Sequence, residues 1–420
     1  MAEAGCVRGV SAGDGGELRL LIAAGVGDVA GTFELWRRGE RDRRIMAIPY
    51  SEMMFDLCRR LGASALIVPD REGEPVSSGR IEIRPMARNR GVSGWRYYRE
   101  QWRYAGRLAD AARGFGADAV IVTTWLPLGC LSAFARRGLP VLLSVHNTIW
   151  TMGGEPSPGL RGRVLRRWAG HALRRHVGAT ICVSPECRRQ IEAVAGRPKG
   201  PVRVFVPQYD PASLRATPPP SSSEPFRLLF AGRIEHNKGV FDVVEAASRL
   251  KAQRPGAFRW TICGAGSRDD ELRRAIGERG LESDVAFPGY LEQPQLSEQI
   301  DRCHATLTPT LQTFAEGIAK LPVEGVIVGR PALTSTAVPA GEVVRSAAER
   351  FPAGDVEAMI QAVQRLRDDE PHYRRLVAGC DEHRGMFFDP SRSYGACLEW
   401  GLETMFGSDR VRPADAEVHS

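Results

Sequence analysis

Apolar residues fall into two rhythms along this chain. Short unbroken runs at 18–24, 65–68, 119–123, 141–145 and 180–183 read as strands buried on both faces. Between them, segments such as 33–44, 97–115 and 163–176 carry the mixed composition of helices. Strand and helix in alternation predict a parallel sheet with crossover helices. The rhythm stops at 216–225, where three prolines and three serines stand in a row. Such a stretch continues neither a helix nor a central strand, and it reads as an exposed interdomain linker. The alternation then restarts, with strands at 226–230, 260–263, 285–287, 306–308 and 331–334. Helices are predicted at 241–252, 267–277, 295–302, 318–328 and 355–368, and a last one at 390–406 with Tyr394, Leu398, Leu402 and Met405 on one face. The expected class is α/β, with two Rossmann-like, doubly wound parallel-sheet domains at 17–215 and 226–386. Such sheets bind ligands beyond their carboxyl ends, so two of them are expected to face a central cleft.

Composition agrees with a globular chain: of 420 residues, 43% are hydrophobic and 25% charged, which excludes general disorder and fibrous repeats. No run approaches the roughly 18 apolar residues of a membrane-spanning helix. The first residues carry acids and glycines where a secretory leader needs an apolar core, so a cytoplasmic location is expected. Nine scattered cysteines without a Cys-x-x-Cys pair signal neither zinc nor a disulfide framework, and read as buried free thiols. Charge is lopsided. Residues 1–210 hold 32 Lys and Arg against 20 acids, whereas the rest hold 25 against 30. Two stretches concentrate the excess. Residues 84–107 have seven arginines, one acid and the aromatics Trp95, Tyr97, Tyr98, Trp102 and Tyr104; residues 161–176 have six arginines and no acid. Such faces suit anionic lipid headgroups or a phosphorylated acceptor, and they equally suit solvated helix faces with aromatic stems packed inward. No nucleic-acid recognition module accompanies them.

Candidate chemistry sits just after predicted strands. The strand at 228–231 runs into a loop with Gly232, Arg233, Lys238 and Gly239. Two cations at a strand end, with glycines that admit close backbone approach, suit a diphosphate; alone they also fit a solvated loop. The second element is Phe314-Ala-Glu316-Gly-Ile-Ala-Lys320-Leu-Pro-Val-Glu324-Gly325. Here Glu316 is expected just before a helix and Glu324 two turns inside it. The N–H groups of Gly317, Ile318 and Ala319 would then lie at the positive end of the helix dipole. A carboxylate accepts hydrogen bonds from paired hydroxyls such as those of a sugar. Weaker signals are a glycine loop at Gly27 and Gly31 after the first strand, His146 at the end of the strand 141–145, and Gly264 after the strand 260–263.

Together and in this order, these elements resemble the retaining glycosyltransferases of family 4, also called group 1, which have the GT-B fold. Gly232-Arg233…Lys238-Gly239 is similar to the family's basic loop, and Glu316…Glu324 to its Glu-x7-Glu motif. The likeness extends through 262–266, 287–289, 331–335 and 352–355. It implies that Arg233 and Lys238 hold a donor diphosphate, Glu316 contacts donor-sugar hydroxyls and Glu324 accepts ribose hydroxyls. Backbone donors at Gly317, Ile318 and Ala319 and close approach at Gly27, Gly232 and Gly264 would complete the donor site. His146 would face the donor sugar and assist proton movement. The implied activity is a metal-independent hexosyltransferase. It would move a sugar from a UDP- or GDP-linked donor to the hydroxyl of an acceptor glycan or lipid-linked acceptor, with retained configuration, in surface polysaccharide or glycolipid synthesis. No cofactor is implied, and the chain has no Asp-x-Asp pair. Peripheral contact with the inner face of an anionic membrane and return of the last helix to the first domain are further implications. Open alternatives are a nucleotide-sugar epimerase, a non-catalytic nucleotide-sugar binder and a nicotinamide oxidoreductase. The last would rest on Gly264-Ala-Gly266, which lacks a third glycine.

Overall fold

The computed structural model describes residues 17–42, 44–154, 159–221 and 225–411. The N-terminal segment read for a leader, Cys6 and the last nine residues lie outside the described residues. One sheet contains β1 (Arg19–Ala24), β2 (Ser64–Pro69), β3 (Val76–Ser78), β4 (Ile81–Ile83), β5 (Ala119–Val122), β6 (Val141–Val145), β7 (Val177–Cys182) and β8 (Val202–Val204). Their spatial order is β3-β4-β2-β1-β5-β6-β7-β8, with β3 the antiparallel strand at the edge. A second sheet holds β9 (Phe226–Ala231), β10 (Phe258–Cys263), β11 (Val285–Gly289), β12 (Ala305–Thr308), β13 (Ala332–Ser335) and β14 (Ala348–Phe351), ordered β11-β10-β9-β12-β13-β14 and parallel throughout. In both, the strand order reverses beside the first strand. That is the doubly wound arrangement that opens a crevice at the carboxyl edge. The inner strands are apolar on both faces because helices cover both; Leu20, Leu21 and Ile22 are fully buried, as are Leu229 and Ile262.

Several segments differ from expectation, among them the unforeseen helices Pro185–Ala195 and Glu370–Arg384. The helix expected at 33–44 is Val29–Arg37, capped by the Asp28 side chain on the Gly31 N–H. Gly39 then turns at φ 73°, and the charged residues beyond pair with one another, as in Arg44–Asp42 at 2.6 Å. A helix at Tyr50–Leu61 was not foreseen; it buries Met53, Met54, Phe55, Leu57, Cys58 and Leu61. The helix expected at 318–328 begins at Lys320.

The helix Tyr394–Phe406 lies on the first sheet, against β7 and the helix Tyr50–Leu61. Arg60–Glu399 and Arg410–Asp118 pair across that junction, each at 2.6 Å. The linker is less free than its composition suggests. Fully buried Arg330 donates to the carbonyls of Thr217 at 2.8 Å, Pro218 at 3.0 Å and Asp301 at 2.8 Å, and so fastens the start of the linker to the second sheet's domain. The chain passes between domains at two adjoining places that bond to each other. The Val206 N–H donates to the Arg392 carbonyl at 3.1 Å, and that of Tyr209 to Phe387 at 3.0 Å. The eight described cysteines are buried free thiols. No described helix is long and apolar enough to cross a membrane.

Candidate active site

The carboxyl edge of the second sheet builds most of the site. β9 ends into Gly232 and Arg233, and β10 into Gly264. Gly264 sits at φ 134°, and a Cβ there would lie 1.8 Å from the Gly232 carbonyl oxygen. No other residue lets these two loops touch. After Gly232 the chain makes a tight turn at His236–Lys238 and enters the helix Val240–Gln253. That turn aims the Lys238 ammonium at the Glu316 carboxylate, and the two side chains form an ion pair that is 15% and 11% exposed. Both cations stand over one aromatic ring: Lys238 Nζ is 3.9 Å and the Arg233 guanidinium 5.2 Å from the centre of Phe314. The ring faces attract them and shield the pair from water. A pair so shielded is screened much less than one on the open surface.

Glu316 lies in a loop between β12 and the helix Lys320–Val328, not directly at a helix start. Ala319 precedes that helix at φ 63°, the one non-glycine with positive φ among the described residues. Such a conformation costs about 1–3 kcal/mol and persists where the surroundings impose it. The surroundings here are tight, because Gly317 is pressed against the other domain. A Cβ on Gly317 would lie 2.0 Å from the His146 carbonyl oxygen. The N–H groups of Gly317 and Ile318 therefore belong to a loop, and the expected helix-start donors begin at Lys320. Ile318 is buried, and its carbonyl accepts from the Ala340 N–H at 3.1 Å.

Glu324 lies one turn inside the helix rather than two. It is buried, and Tyr209 donates its hydroxyl to it at 3.4 Å. Burial pushes its carboxyl up to about 7, against the pull of the Lys320 ammonium and the Tyr209 hydrogen bond.

Arg233, Lys238, Glu316 and Glu324 line a single cavity of about 560 Å³ with Gly232, Gly264 and Ala319. The first domain closes it with Arg44, Ile45 and Met46, and the Tyr290 hydroxyl reaches the Arg44 carbonyl at 3.4 Å. Four expected members stand apart from this lining: Gly317, Ile318, Gly27 and His146. Gly27 is exposed and outside the lining. Asp28 beside it is tied to Arg44 at 2.8 Å and Arg71 at 3.3 Å, so the wall comes from Arg44–Met46 instead. The His146 ring is also absent from the lining. It packs against Tyr50, Phe205 and Tyr394 at 4.8, 5.5 and 5.4 Å between ring centres, with Nε2 2.9 Å from the Ser144 hydroxyl. Burial lowers its pKa to about 4, so the imidazole is neutral at ordinary pH. Sequence reasoning gave no role to the Phe314 ring, the Tyr209 hydroxyl or Arg44–Met46. Phe314 stood beside the motif as a signal, but nothing in the sequence around Tyr209 or Arg44 pointed to a site.

Two Rossmann-like sheets with a charged cavity between them define a GT-B architecture. The sequence profile of Glycosyltransferase Family 4 matches residues 52–212, and that of Glycosyl transferases group 1 matches 217–380. The chain belongs to the group 1, family 4 glycosyltransferases. Among curated proteins it is 30% identical over 152 residues to the amylovoran biosynthesis glycosyltransferase AmsK of Erwinia amylovora, 35% of this chain and 37% of that one. It is 25% identical over 284 residues to glycogen synthase of Mycobacterium tuberculosis, 66% of each. The matched region thus spans about a third of the first relative and just under two thirds of the second. Among solved structures, HepE of Anabaena in complex with UDP superposes with a TM-score of 0.63 at 15% identity, covering 93% of this chain and 99% of that one. Sucrose-phosphate synthase of Thermosynechococcus elongatus gives 0.65 at 15% identity, covering 92% and 98%. At such identity these neighbours show the fold.

Proposed function

We propose that this protein transfers a sugar from a nucleoside diphosphate donor, UDP- or GDP-linked, to an acceptor hydroxyl with retention of configuration. The observation that carries this reading is the Lys238–Glu316 pair over Phe314, in one cavity with Arg233 and Glu324. In the proposed step the bond from the sugar's anomeric carbon to the diphosphate oxygen breaks, and its electron pair leaves with the diphosphate. The acceptor oxygen forms its bond on the same face, and its proton passes to the departing phosphate oxygen. Arg233 and Lys238 neutralise the charge that grows on that oxygen, Lys238 from a position largely covered from water. They supply this charge from the protein, so the proposal is metal-independent, and turnover should be the same in EDTA. Glu316 accepts from the sugar hydroxyls while it holds Lys238 in place. Glu324 accepts from the ribose hydroxyls, and the unusual backbone at Ala319 turns peptide donors toward the phosphates. Buried among aromatic rings, His146 would act through its backbone against Gly317 rather than as a proton carrier.

Support for the donor class comes from HepE of Anabaena, solved with UDP and with UDP-glucose. Support for a role in surface polysaccharide synthesis comes from AmsK and from the putative colanic acid biosynthesis glycosyltransferase WcaL of Escherichia coli, 26% identical over 183 residues. The test is a melting screen against UDP, GDP, ADP and their sugar conjugates, since a selective binder raises the melting temperature by mass action. Incubation of the stabilising donor with and without candidate saccharide acceptors follows. Nucleotide release that depends on acceptor is expected. No stabilisation by any nucleotide, or conversion of the donor sugar without acceptor, overturns the proposal.

A further inference from the structure

A second cavity, of about 290 Å³, opens in the first domain at the carboxyl ends of β5 and β6. Its walls are Trp125, Trp150, Trp168, Leu128 and Leu165, with Thr124 at its base. The Thr124 residue is 5% exposed, and its hydroxyl has no partner within the protein. That oxygen is sealed from the cavity as well as unpaired, so the polar groups of the lining are Thr123, Ser144, His146, Asn147 and Arg166 among mostly apolar walls. The cavity is at the lower end of the range for small-molecule sites, roughly 300–1,000 Å³, which suits a chain or ring rather than an oligosaccharide.

The mouth has the opposite character. The helices Gly94–Phe115 and Leu160–His176 meet there, with Trp102 and Trp168 at 5.9 Å between ring centres and the Arg161 guanidinium 5.6 Å from the Tyr98 ring. The basic side chains there are Arg161 and Arg166, the latter in the cavity lining, whereas Arg84, Arg88, Arg90 and Arg107 of the first stretch pair with Glu82, Asp70 and Glu100. The second helix carries no acid, and Leu160 and Val164 stand 74% and 60% exposed on it. His146 and Asn147 also line this cavity, and the His146 carbonyl is what Gly317 packs against. The cavity therefore adjoins the charged cleft across a single loop.

We propose that this tryptophan-walled cavity seats the apolar chain of a phosphate-bearing lipid acceptor. The arginine rim takes the phosphate, and the loop at His146 delivers the attached hydroxyl to the donor cleft. The apolar walls call for a hydrocarbon chain, and the positive rim calls for an anionic head. A membrane alone would meet the rim but would leave the concave interior empty. The assignment rests on the transferase reading for the acceptor's role, but chain binding is measured separately.

The experiment is calorimetric titration of the full chain with decyl phosphate below its micelle concentration. Decyl maltoside, inorganic phosphate and UDP are titrated on the same preparation. Saturable binding of decyl phosphate is expected, with decyl maltoside at least tenfold weaker and no heat from inorganic phosphate. Leu165→Trp and Leu128→Trp, at half-buried wall positions, fill the cavity and should each weaken decyl phosphate at least tenfold with UDP unchanged. If either variant melts early, quenching of tryptophan emission by bromodecyl phosphate in the unaltered chain replaces it as the readout. Absence of saturable binding overturns the assignment. So does binding untouched by either filling variant, and equal binding of both variants to phosphatidylglycerol vesicles would then place the lipid on the outer arginine face. Failure of both UDP and GDP, titrated in the same way, to bind would count against the transferase reading and leave the lipid result standing.

Discussion

Replacing Gly317 with alanine tests the contact that holds the two domains in register. The added Cβ would lie 2.0 Å from the His146 carbonyl oxygen, 3.0 Å from its carbonyl carbon and 3.4 Å from Asn147 Cα. Ordinary contact begins at 3.4 Å, so one backbone must retreat by 1.4 Å relative to the other. Neither backbone is a flexible side-chain end, and the cheapest response is for the cleft to stay open by that amount. A misplacement of about 1 Å costs on the order of 100-fold in rate when reacting groups must be held in line. That corresponds to about 2.7 kcal/mol of barrier. Gly317→Ala should therefore lower kcat/KM about 100-fold, measured as acceptor-dependent nucleotide release. The melting temperature should hold within a few degrees, because each sheet keeps its own core. Stabilisation by the nucleotide alone should persist, since Arg233 and Lys238 sit on the second domain. A variant with unchanged kcat/KM would show that register at this contact does not matter to transfer. Loss of nucleotide binding would show instead that the residue acts on the phosphates directly.

The remaining predictions concern charges and rings. Lys238→Ala and Arg233→Ala should each cost about 2–4 kcal/mol of transition-state stabilisation, read as a kcat loss of about 30- to 1,000-fold with circular dichroism unchanged; near-normal turnover in either removes its role. Glu324 ionises near 4.5 in the unfolded chain and near 7 when folded, so the stability of its neutral form is complete below 4.5 and is lost as pH rises toward 7. That interval, at about 1.36 kcal/mol per pH unit, bounds the effect near 3 kcal/mol. Glu324→Gln should thus gain stability over the parent as pH rises from 4.5 to 7 and level off above, and a constant difference across that window contradicts the burial argument. In the parent, donor KM should rise below pH 7 as the carboxylate is protonated, a trend absent from Glu324→Gln. His146→Phe should keep turnover within about threefold, because the ring packs among Tyr50, Phe205 and Tyr394; general acid–base work would make the loss about 100-fold or more.

The alternation of apolar runs and helical segments carried the fold, because each inner strand had to be apolar on both faces to sit in a doubly covered parallel sheet. The helix at Tyr50–Leu61 escaped because its row of Met, Phe, Leu and Cys, broken by Glu52, Asp56 and a pair of arginines, reads as helix or strand until a partner is seen. The shift of the second-domain helix start to Lys320 was hidden for a different reason. Gly317, Ile318 and Ala319 favour no particular end point, and their shape is imposed by the His146 carbonyl from the other domain. The charged residues of the cleft were visible through their combination and order, which resemble the family's motifs; each element alone also fits a solvated loop. Tyr209 and Arg44–Met46 were not, since what places them in the cleft is the arrangement of two domains. His146 misled because a strand-end position specifies where the backbone goes and leaves the ring free to turn into a core.

Arg330 changes how this enzyme family member can open. By gripping the peptides at Thr217 and Pro218 it fixes the start of that proline-rich stretch to the second sheet's domain. Bending is then left to the neighbouring crossings at 206–209 and 387–392, which are stitched together by their own amides. Like a door on two adjacent pins, the aperture is expected to swing about the line that joins them, an axis that comparison of nucleotide-free and nucleotide-bound structures would reveal. The far end of the polypeptide is thus half of the pivot.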